Sequence, residues 1–235
     1  LGIESYFGTK KGQFKVLNTL VTLGFSDLSR AAYFRSELAA FLVLVHKYHL
    51  NPYTITGSYT GAIGWPQFIP SSYLRYGVSG RGGAVVDLSN NVKDVIYSIA
   101  NYYSKFGWLL GRVAAVPVAP DELLQLQNFF AGKGYITSIQ LKKVMNYCQQ
   151  NQKCHLLVLQ HDGSDKQLDS WFTGDNFAVI MRYNASAFYA LAVNNLSNAI
   201  LARHRSHIGN SAAKNVGGGF NILTGVKADY VNKLA

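Results

Sequence analysis

Residues 57–73 read Gly57-Ser58-Tyr59-Thr60-Gly61-Ala62-Ile63-Gly64-Trp65-Pro66-Gln67-Phe68-Ile69-Pro70-Ser71-Ser72-Tyr73, and we call them the motif segment. Its three glycines permit tight turns and a close approach of the backbone to a ligand. Ser58, Thr60 and Gln67 add hydrogen-bonding groups, and the aromatic residues add flat apolar faces. This mixture suits a carbohydrate, which has hydroxyl groups at its edge and C–H groups on its faces. Packing of the same aromatic side chains in a core is the competing interpretation, and the composition leaves both open.

Helical patterns surround the motif segment. Periodic apolar positions predict a helix over residues 30–47, which ends before Pro52. A second pattern predicts a helix over residues 90–105, which Gly107 terminates. Helical periodicity returns over residues 185–202.

The stretch between these helical regions has a mixed character. Residues 113–120 and 156–160 predict strands, and residues 177–181 predict a further strand. Two short helices are predicted over residues 121–130 and 139–149. The chain therefore passes from helical to mixed structure and back to helical structure.

These patterns predict an α+β fold that is mainly α. We expect a helical domain formed by residues 1–111 and 181–203, with residues 112–180 inserted as a small α+β subdomain. Residues 204–235 are expected to form a linker and a C-terminal tail of unknown role. A chain of 235 residues, 49% of them hydrophobic, is long enough for one large core or for a main domain with a small insert.

The charge of the chain points to a polyanionic partner. The formal net charge is +10, which favours nucleic acid, anionic lipid or an anionic cell-wall polymer. The sequence contains no run of five basic residues and no zinc-finger or RNP motif, so we expect no nucleic-acid partner. The longest apolar stretch, residues 38–45, is too short to cross a membrane.

The start of the chain and its two cysteines indicate in which cellular compartment the protein works. The chain begins at Leu1 without a signal peptide, so we expect that it was processed or trimmed upstream, and that any lipid anchor lies in the missing part. Cys148 and Cys154 are the only cysteines, and their polar six-residue spacing favours a disulfide bond in an oxidising compartment over two free thiols. Zinc is weakly supported, because His155 is the only further ligand type nearby.

Glu4 is one of only three glutamates in the chain. It lies among an isoleucine and aromatic residues, and apolar surroundings disfavour the charged form of a carboxyl group. Such a group can carry a proton near neutral pH and act as a general acid. Glu37, among apolar residues, is predicted to be a buried and paired structural group. Glu122 follows Pro120 and is predicted to interact with the dipole of a helix start.

Several segments, in the same order along the chain, resemble the lytic murein transglycosylase B family, which is glycoside hydrolase family 103-like. The segments are Gly2–Ser5, residues 17–25, Ala32–Leu38, Gly61–Tyr73, Ala100–Tyr103 and Arg182–Asn184. The resemblance implies a lysozyme-like catalytic domain with a smaller inserted domain. It also implies an enzyme that cuts the β-1,4 bond between N-acetylmuramic acid and N-acetylglucosamine in peptidoglycan, outside the cytoplasm in the periplasm, with outer-membrane anchoring through the missing segment as an alternative.

The resemblance implies a role for particular residues. Glu4 matches the catalytic acid/base, and the matching substrate-binding residues are Ser58, Gln67, Tyr102, Tyr183 and Tyr189. Ser58 is expected to bond either Glu4 or the N-acetyl group of the substrate. Since Tyr102 and Tyr103 are neighbours on a helix, we expect one of the two in the core.

The family reaction uses no water, because the C6 hydroxyl of the muramoyl residue attacks C1 and leaves a 1,6-anhydro sugar. One carboxyl group then suffices for both proton transfers. The alternatives are a lysozyme-type hydrolase, which needs a second carboxylate, and a non-catalytic peptidoglycan-binding module.

Family members can carry an aspartate-rich calcium loop after the motif segment. Here Asp87 is the only acid between residues 78 and 87, and Arg81 lies in the middle, so we expect no calcium, no other metal and no cofactor. The expected partner is the peptidoglycan glycan strand, bound by a monomer, with other cell-wall enzymes as further candidate partners.

Overall fold

The computed structural model describes residues 2–26, 29–80, 82–83, 85–130, 146–160 and 168–209. The helices are α1 (Gly2–Ser5), α2 (Val16–Gly24), α3 (Ala31–Lys47), α4 (Pro70–Tyr76), α5 (Val92–Lys105), α6 (Pro120–Phe130), α7 (Asp175–Tyr183) and α8 (Ala187–Gly209). The strands are β1 (Phe14–Lys15), β2 (Thr56–Gly57), β3 (Ala115–Val118), β4 (His155–Gln160) and β5 (Leu168–Thr173). The expected α+β fold with mainly helical content is confirmed.

Helices α2 to α5 surround the larger hydrophobic core. Leu20, Phe41, Leu44 and Val95 are completely buried in it, and each comes from an apolar position of a helical pattern. The predicted helices over residues 30–47 and 90–105 are confirmed as α3 and α5. At the start of α5, the side chain of Asn91 accepts hydrogen bonds from the first-turn amides, which explains where this helix begins.

Two antiparallel sheets accompany the helices within the described residues. Strands β1 and β2 form a short pair that holds the start of the motif segment beside residues 14–15. The second sheet has the order β3-β5-β4, with β5 in the centre. The predicted strands over 113–120 and 156–160 are confirmed by β3 and β4, whereas the central strand β5 was not foreseen.

The predicted strand over residues 177–181 is wrong, because these residues belong to α7. A short apolar run containing Val179 and Ile180 fits a buried strand and a buried helix face equally well. Phe177 and Ile180 pack with Ala190 of α8 in a second apolar cluster, and this helix packing outweighs the β preference of the branched residues.

The predicted helix over residues 121–130 is confirmed by α6, and residues 146–149 are helical as predicted. Residues 139–145 of that second prediction, and residues 210–235 of the predicted tail, lie outside the described residues. Cys148 and Cys154 are joined by a disulfide bond that closes a loop just before β4. Among the described residues, none of the helices is both long and apolar enough to cross a membrane.

The chain divides into a compact unit over Leu1–Asn194 and a second unit over Asn195–Ala235. The first contains all the elements from α1 to α7. In the second, the described residues 195–209 continue α8. The predicted division into a helical domain (residues 1–111 and 181–203), an inserted subdomain (residues 112–180) and a tail (residues 204–235) stays a prediction.

Candidate active site

Glu4 lies half-buried on α1, a helix of a single turn. Its apolar sequence neighbours do not surround it, since Ile3, Tyr6 and Phe7 are 40%, 45% and 61% exposed. Its surroundings are built instead by tyrosines from distant helices. The Tyr189 hydroxyl donates a hydrogen bond to the Glu4 carboxylate. Tertiary contacts, rather than the local sequence, therefore create the environment of this carboxyl group.

The tyrosines beside Glu4 form a connected cluster. The rings of Tyr183 and Tyr189 are stacked nearly in parallel, with centroids 6.4 Å apart and an angle of 9° between their planes. The ring of Tyr103 lies edge-on to that of Tyr183 at 6.0 Å. The Tyr183 hydroxyl donates to the main-chain carbonyl of Pro66, which joins the cluster to the motif segment.

Burial keeps these phenols protonated. Burial, and then the negative charge of Glu4, raise the pKa of Tyr103 to about 12. The same causes raise the pKa of Tyr183 well above the ordinary value of 10.0. For Tyr189 the hydrogen bond to Glu4 adds to burial and charge and raises the pKa further. At neutral pH the three hydroxyls are therefore protonated and can donate hydrogen bonds.

The side chains of Tyr102 and Tyr103 lie in different surroundings. Tyr102 is 8% exposed, and its hydroxyl donates to the Arg182 carbonyl over 2.8 Å, within the core cluster. Tyr103 is the member of the pair whose phenol feels the charge of Glu4, and its ring stacks on Trp108 at 5.2 Å. A substrate contact of Tyr102 stays a prediction. Tyr103 was not predicted as a site residue, because both faces of α5 carry apolar residues and the sequence pattern does not show which face meets the site.

Ser58 organises the first turn of the motif segment. Its Oγ accepts hydrogen bonds from the amides of Thr60, at 3.2 Å, and Ala62, at 3.0 Å. Because these amides occupy both acceptor positions of the oxygen, the Ser58 proton points to the Thr60 hydroxyl, 3.0 Å away, or to a ligand that replaces it. These bonds lie within the loop, and the expected contact of Ser58 with Glu4 or with substrate stays a prediction.

The side-chain amide of Gln67 is held by two main-chain carbonyls. Nε2 donates to the carbonyls of Gly64, at 2.8 Å, and Lys11, at 3.1 Å. Both of its hydrogens are therefore used, and because both partners are acceptors the amide orientation is fixed. Among the described residues no hydrogen bond to Oε1 is present, and the expected substrate contact of Gln67 stays a prediction. The backbone of Gln67 has a φ of 53°, in the left-handed region.

The family model described as a transglycosylase SLT domain matches residues 1–198 of this chain. The chain belongs to this family. It is similar to the membrane-bound lytic murein transglycosylase B of Escherichia coli (strain K12), with 36% identity over 206 residues. That match covers 86% of this chain and 56% of the E. coli protein, so the chain spans little more than half the length of this relative.

Solved structures of lytic transglycosylases share the fold. The soluble lytic transglycosylase SltB1 from Pseudomonas aeruginosa matches with a TM-score of 0.69 and 32% identity, covering 87% of this chain and 68% of that chain. SltB3 from the same organism, in complex with NAG-anhNAM-pentapeptide, matches with a TM-score of 0.64 and 26% identity, covering 84% and 54% respectively. The family resemblance and the lysozyme-like fold are thereby confirmed.

In this transglycosylase domain, Ser5 fixes α1 to the motif segment. Ser5 is 1% exposed, and its Oγ donates to the Trp65 carbonyl over 2.8 Å and accepts from the Gly8 amide over 3.1 Å. Gly8 has a φ of 82°, and a Cβ atom added there would lie 2.0 Å from the Trp65 ring. Trp65 is held in turn by a bond from Nε1 to the Ser89 carbonyl at 3.0 Å. The position of Glu4 therefore depends on Trp65.

Glu37 and Glu122 both accept hydrogen bonds at the start of a helix. Glu37 is buried and accepts from the amide and the hydroxyl of Ser71, at 3.0 and 2.7 Å, in the first turn of α4. This agrees with its predicted structural role. Glu122 accepts from the Ala119 amide at the start of α6, at 3.1 Å, as expected of an acid at a helix N-terminus.

Buried Asp94 holds the two ends of the loop after α4. Its two oxygens accept from the amides of Gly80 and Asp87, each at 2.9 Å. The Asp87 carboxylate accepts hydrogen bonds from the amides of Ser89 and Asn90. Within the described part of the chain, no three His, Cys, Asp or Glu side chains are grouped as metal ligands. The expectation of a calcium-free loop stays a prediction.

Proposed function

We propose that this chain is the catalytic part of a peptidoglycan lytic transglycosylase, a carbon–oxygen lyase that cuts the bond between N-acetylmuramic acid and N-acetylglucosamine. The observation that carries the proposal is the single carboxyl group, Glu4, held by Tyr189 within a tyrosine-lined site. Membership of the transglycosylase family and the peptidoglycan fragment in the SltB3 complex support the choice of substrate.

Glu4 serves both proton transfers of the reaction. In its acid form it donates a proton to the glycosidic oxygen, and the C1–O bond to the N-acetylglucosamine breaks. The C6 hydroxyl oxygen then bonds to C1, and the Glu4 carboxylate takes the hydroxyl proton. Glu4 is thereby regenerated, and the product ends in a 1,6-anhydro ring. Because the nucleophile belongs to the same sugar, its high effective concentration replaces the action of a second carboxylate.

The surrounding side chains position the reactants. The hydrogen bond from Tyr189 orients the Glu4 carboxyl and stabilises the carboxylate that forms when the proton leaves. The stacked rings of Tyr183 and Tyr189 present an apolar face to the sugar. We place Ser58 and Gln67 as hydrogen-bonding partners of the substrate, on the strength of the free Gln67 oxygen and the exchangeable Ser58–Thr60 bond.

The alternative enzyme is a lysozyme-type hydrolase, which needs a second carboxylate to activate water. Glu37 and Asp94 are committed to backbone amides, so the described residues offer no evident candidate for that role. The site of action is the cell wall, and we place the chain in the periplasm. The disulfide between Cys148 and Cys154 fits this oxidising compartment.

Digestion of purified sacculi, followed by mass analysis of the products, tests the function. We expect anhydro ends, and Glu4→Gln is expected to lower the rate about 10³-fold with an unchanged melting temperature. Glu122→Gln is the matched control and should retain activity. Reducing ends that have gained water would establish the hydrolase instead. Binding of sacculi without any cleavage by the unaltered protein would establish the binding module.

A further inference from the structure

The Tyr103 hydroxyl is a hydrogen-bond donor that the tyrosine cluster beside Glu4 does not use internally. Tyr183 donates to the Pro66 carbonyl, and Tyr189 donates to the Glu4 carboxylate. Among the described residues, no protein atom accepts a hydrogen bond from the Tyr103 hydroxyl. Within this part of the chain, the cluster therefore has a donor that is available to a ligand.

The Tyr103 hydroxyl also reaches the surface. Tyr103 is half-buried. In the described part of the chain, the buried side-chain atoms that lack a hydrogen-bond partner are Nδ2 of Asn91 and Oε1 of Gln125. The Tyr103 oxygen has no protein partner and is not one of these buried atoms. Water or a ligand can therefore approach it and accept its hydrogen bond.

Hydrogen bonds to the main chain place this cluster beside Glu4. The Pro66 carbonyl accepts from Tyr183, and the carbonyl of the preceding residue accepts from Ser5. Helix α1 and Tyr183 therefore meet at two consecutive carbonyl groups of the motif segment, and Glu4 directly precedes Ser5. The ring centroid of Tyr103 lies 6.0 Å from that of Tyr183. The unused hydroxyl is thus part of the surroundings of the reacting carboxyl group.

Two neighbouring rings fix the direction of the Tyr103 side chain. Trp108 stacks on its face, with centroids 5.2 Å apart and 21° between the ring planes. Tyr183 meets it edge-on, with 89° between the planes. The Trp108 amide donates to the Tyr103 carbonyl over 3.0 Å, which holds the two residues together at the end of α5. A side chain that is already ordered loses little entropy when a ligand binds to it.

The surroundings of Tyr103 favour a neutral acceptor. Burial and the charge of Glu4 raise the pKa of Tyr103 to about 12, so the phenol keeps its proton at neutral pH. A second carboxylate at this place would be repelled by Glu4. A sugar offers neutral acceptors in its hydroxyl, ring and N-acetyl oxygens, close to the bond on which Glu4 acts.

We propose that Tyr103 is a further substrate-binding residue, whose hydroxyl donates a hydrogen bond to a neutral oxygen of the sugar on which Glu4 acts. The inference rests on the proposed function. Tyr103 differs in role from Tyr189, because Tyr189 orients the carboxyl group whereas Tyr103 orients the sugar. Stacked rings alone accept a sugar in several orientations, and a directed hydrogen bond selects one of them.

Tyr103→Phe removes the hydroxyl and keeps the ring that Trp108 and Tyr183 contact. We expect kcat/KM on isolated glycan strands to fall about five- to tenfold, which is the scale of one neutral hydrogen bond. The melting temperature at pH 7 should stay unchanged, because the hydroxyl makes no bond within the described protein. Tyr97→Phe, at an exposed position of α5, is the matched control and should keep its kcat/KM. An unchanged kcat/KM in Tyr103→Phe overturns the proposal.

Tyr102→Phe shows what the loss of a structural hydroxyl looks like. The Tyr102 hydroxyl donates to the Arg182 carbonyl within the core, so this variant should have a lower melting temperature. If Tyr103→Phe loses activity together with an equal fall in melting temperature, its hydroxyl is structural and the proposal is overturned.

A binding measurement separates this inference from the proposed function. In a Glu4→Gln background the strands are bound but not cut, and adding Tyr103→Phe should weaken their binding about three- to tenfold, whereas adding Tyr97→Phe should not. Equal affinities overturn the contact even if the unaltered protein forms anhydro ends. An absence of anhydro ends from the unaltered protein is the separate failure of the proposed function, and the comparison of affinities still decides whether Tyr103 contacts the glycan.

Discussion

Ser5 and Trp65 are joined by a hydrogen bond of 2.8 Å, although 60 residues separate them in the chain. Ser5 is the residue after Glu4, and Trp65 lies at the centre of the motif segment. The bond therefore connects the proton donor of the proposed reaction to the loop that supplies the predicted sugar contacts. Rigid support of this kind is what keeps a reacting group within reach of its target.

We expect Ser5→Ala to lower kcat about ten- to hundredfold, with a small change in KM, because Glu4 loses its fixed position. The variant should also lose about 1 kcal/mol in the free energy of unfolding, since the partly buried Gly8 amide loses its acceptor. Kinetics on isolated glycan strands and urea unfolding provide the two values. Ser36→Ala, which removes an exposed hydroxyl of α3, is the control. A normal kcat in Ser5→Ala would falsify this positioning role.

Gly8 and Gly107 allow backbone strain to be separated from steric contact. Both have positive φ angles, 82° and 85°, but an added Cβ meets the Trp65 ring at Gly8 and nothing within 4 Å at Gly107. Gly107→Ala should therefore be destabilised by about 1–2 kcal/mol from strain alone. Gly8→Ala should be destabilised by about 3 kcal/mol or more and should lose activity. Equal losses in urea unfolding would show that the contact with Trp65 is unimportant.

Tyr189→Phe removes the hydroxyl that donates to Glu4 and keeps the ring that stacks on Tyr183. We expect kcat to fall at least about tenfold, the lower end expected for a hydrogen bond to a charged group. KM should change little, because the stacking surface is retained. Tyr97→Phe, at an exposed position of α5, is the matched control. If the two variants have the same kcat, Tyr189 does not assist Glu4.

The tyrosine cluster makes the fold sensitive to alkali. The folded-state pKa of Tyr103 is about 12, above the ordinary value of 10.0, so the folded state holds this proton more tightly than the unfolded state. The resulting stability is complete below about pH 10 and is lost as the pH rises towards 12. Tyr103→Phe should remove up to about 1.4 kcal/mol per pH unit from the slope of unfolding free energy against pH in this window. Urea unfolding at a series of alkaline pH values measures the slope, and an identical slope in the variant refutes the prediction.

A variant of Asp94 and a calcium titration together test whether the loop after α4 is held by protein groups alone. Asp94→Asn keeps one acceptor oxygen but sets an amide group against Gly80 or Asp87, so we expect a loss of about 2–3 kcal/mol in unfolding free energy. The melting temperature of the unaltered protein should be the same with calcium and with a chelator. A rise with calcium would overturn the expectation of a calcium-free loop.

The sequence was informative where a local pattern determines the structure. The periodic apolar positions of α3 and α5 and the N-cap at Asn91 are visible without any tertiary contact. Glu4 was found through its scarcity and its family motif. Its apolar sequence neighbours do not form its surroundings, because they are exposed, and tyrosines of α5, α7 and α8 lie beside it instead.

The features that were missed depend on contacts across the chain. Residues 177–181 form a helix because Phe177 and Ile180 pack against α8, and a five-residue apolar run does not contain that information. Strand β5 alternates irregularly and is defined by its two neighbours. Tyr103 and Tyr102 are equivalent in type, and only the packing of α5 distinguishes the residue near Glu4 from the residue in the core.

Helix α1 has a single turn, which is too short to persist by its own hydrogen bonds. It is held in place by the hydrogen bond from Ser5 to the Trp65 carbonyl of the motif segment. A newly made copy that has not yet closed this loop presents Glu4 as an ordinary hydrated carboxyl, without Tyr189 and without a defined direction. The proposed activity of Glu4 therefore depends on a contact made 60 residues away in the chain, so damage to the motif segment would disable the carboxyl group without touching it.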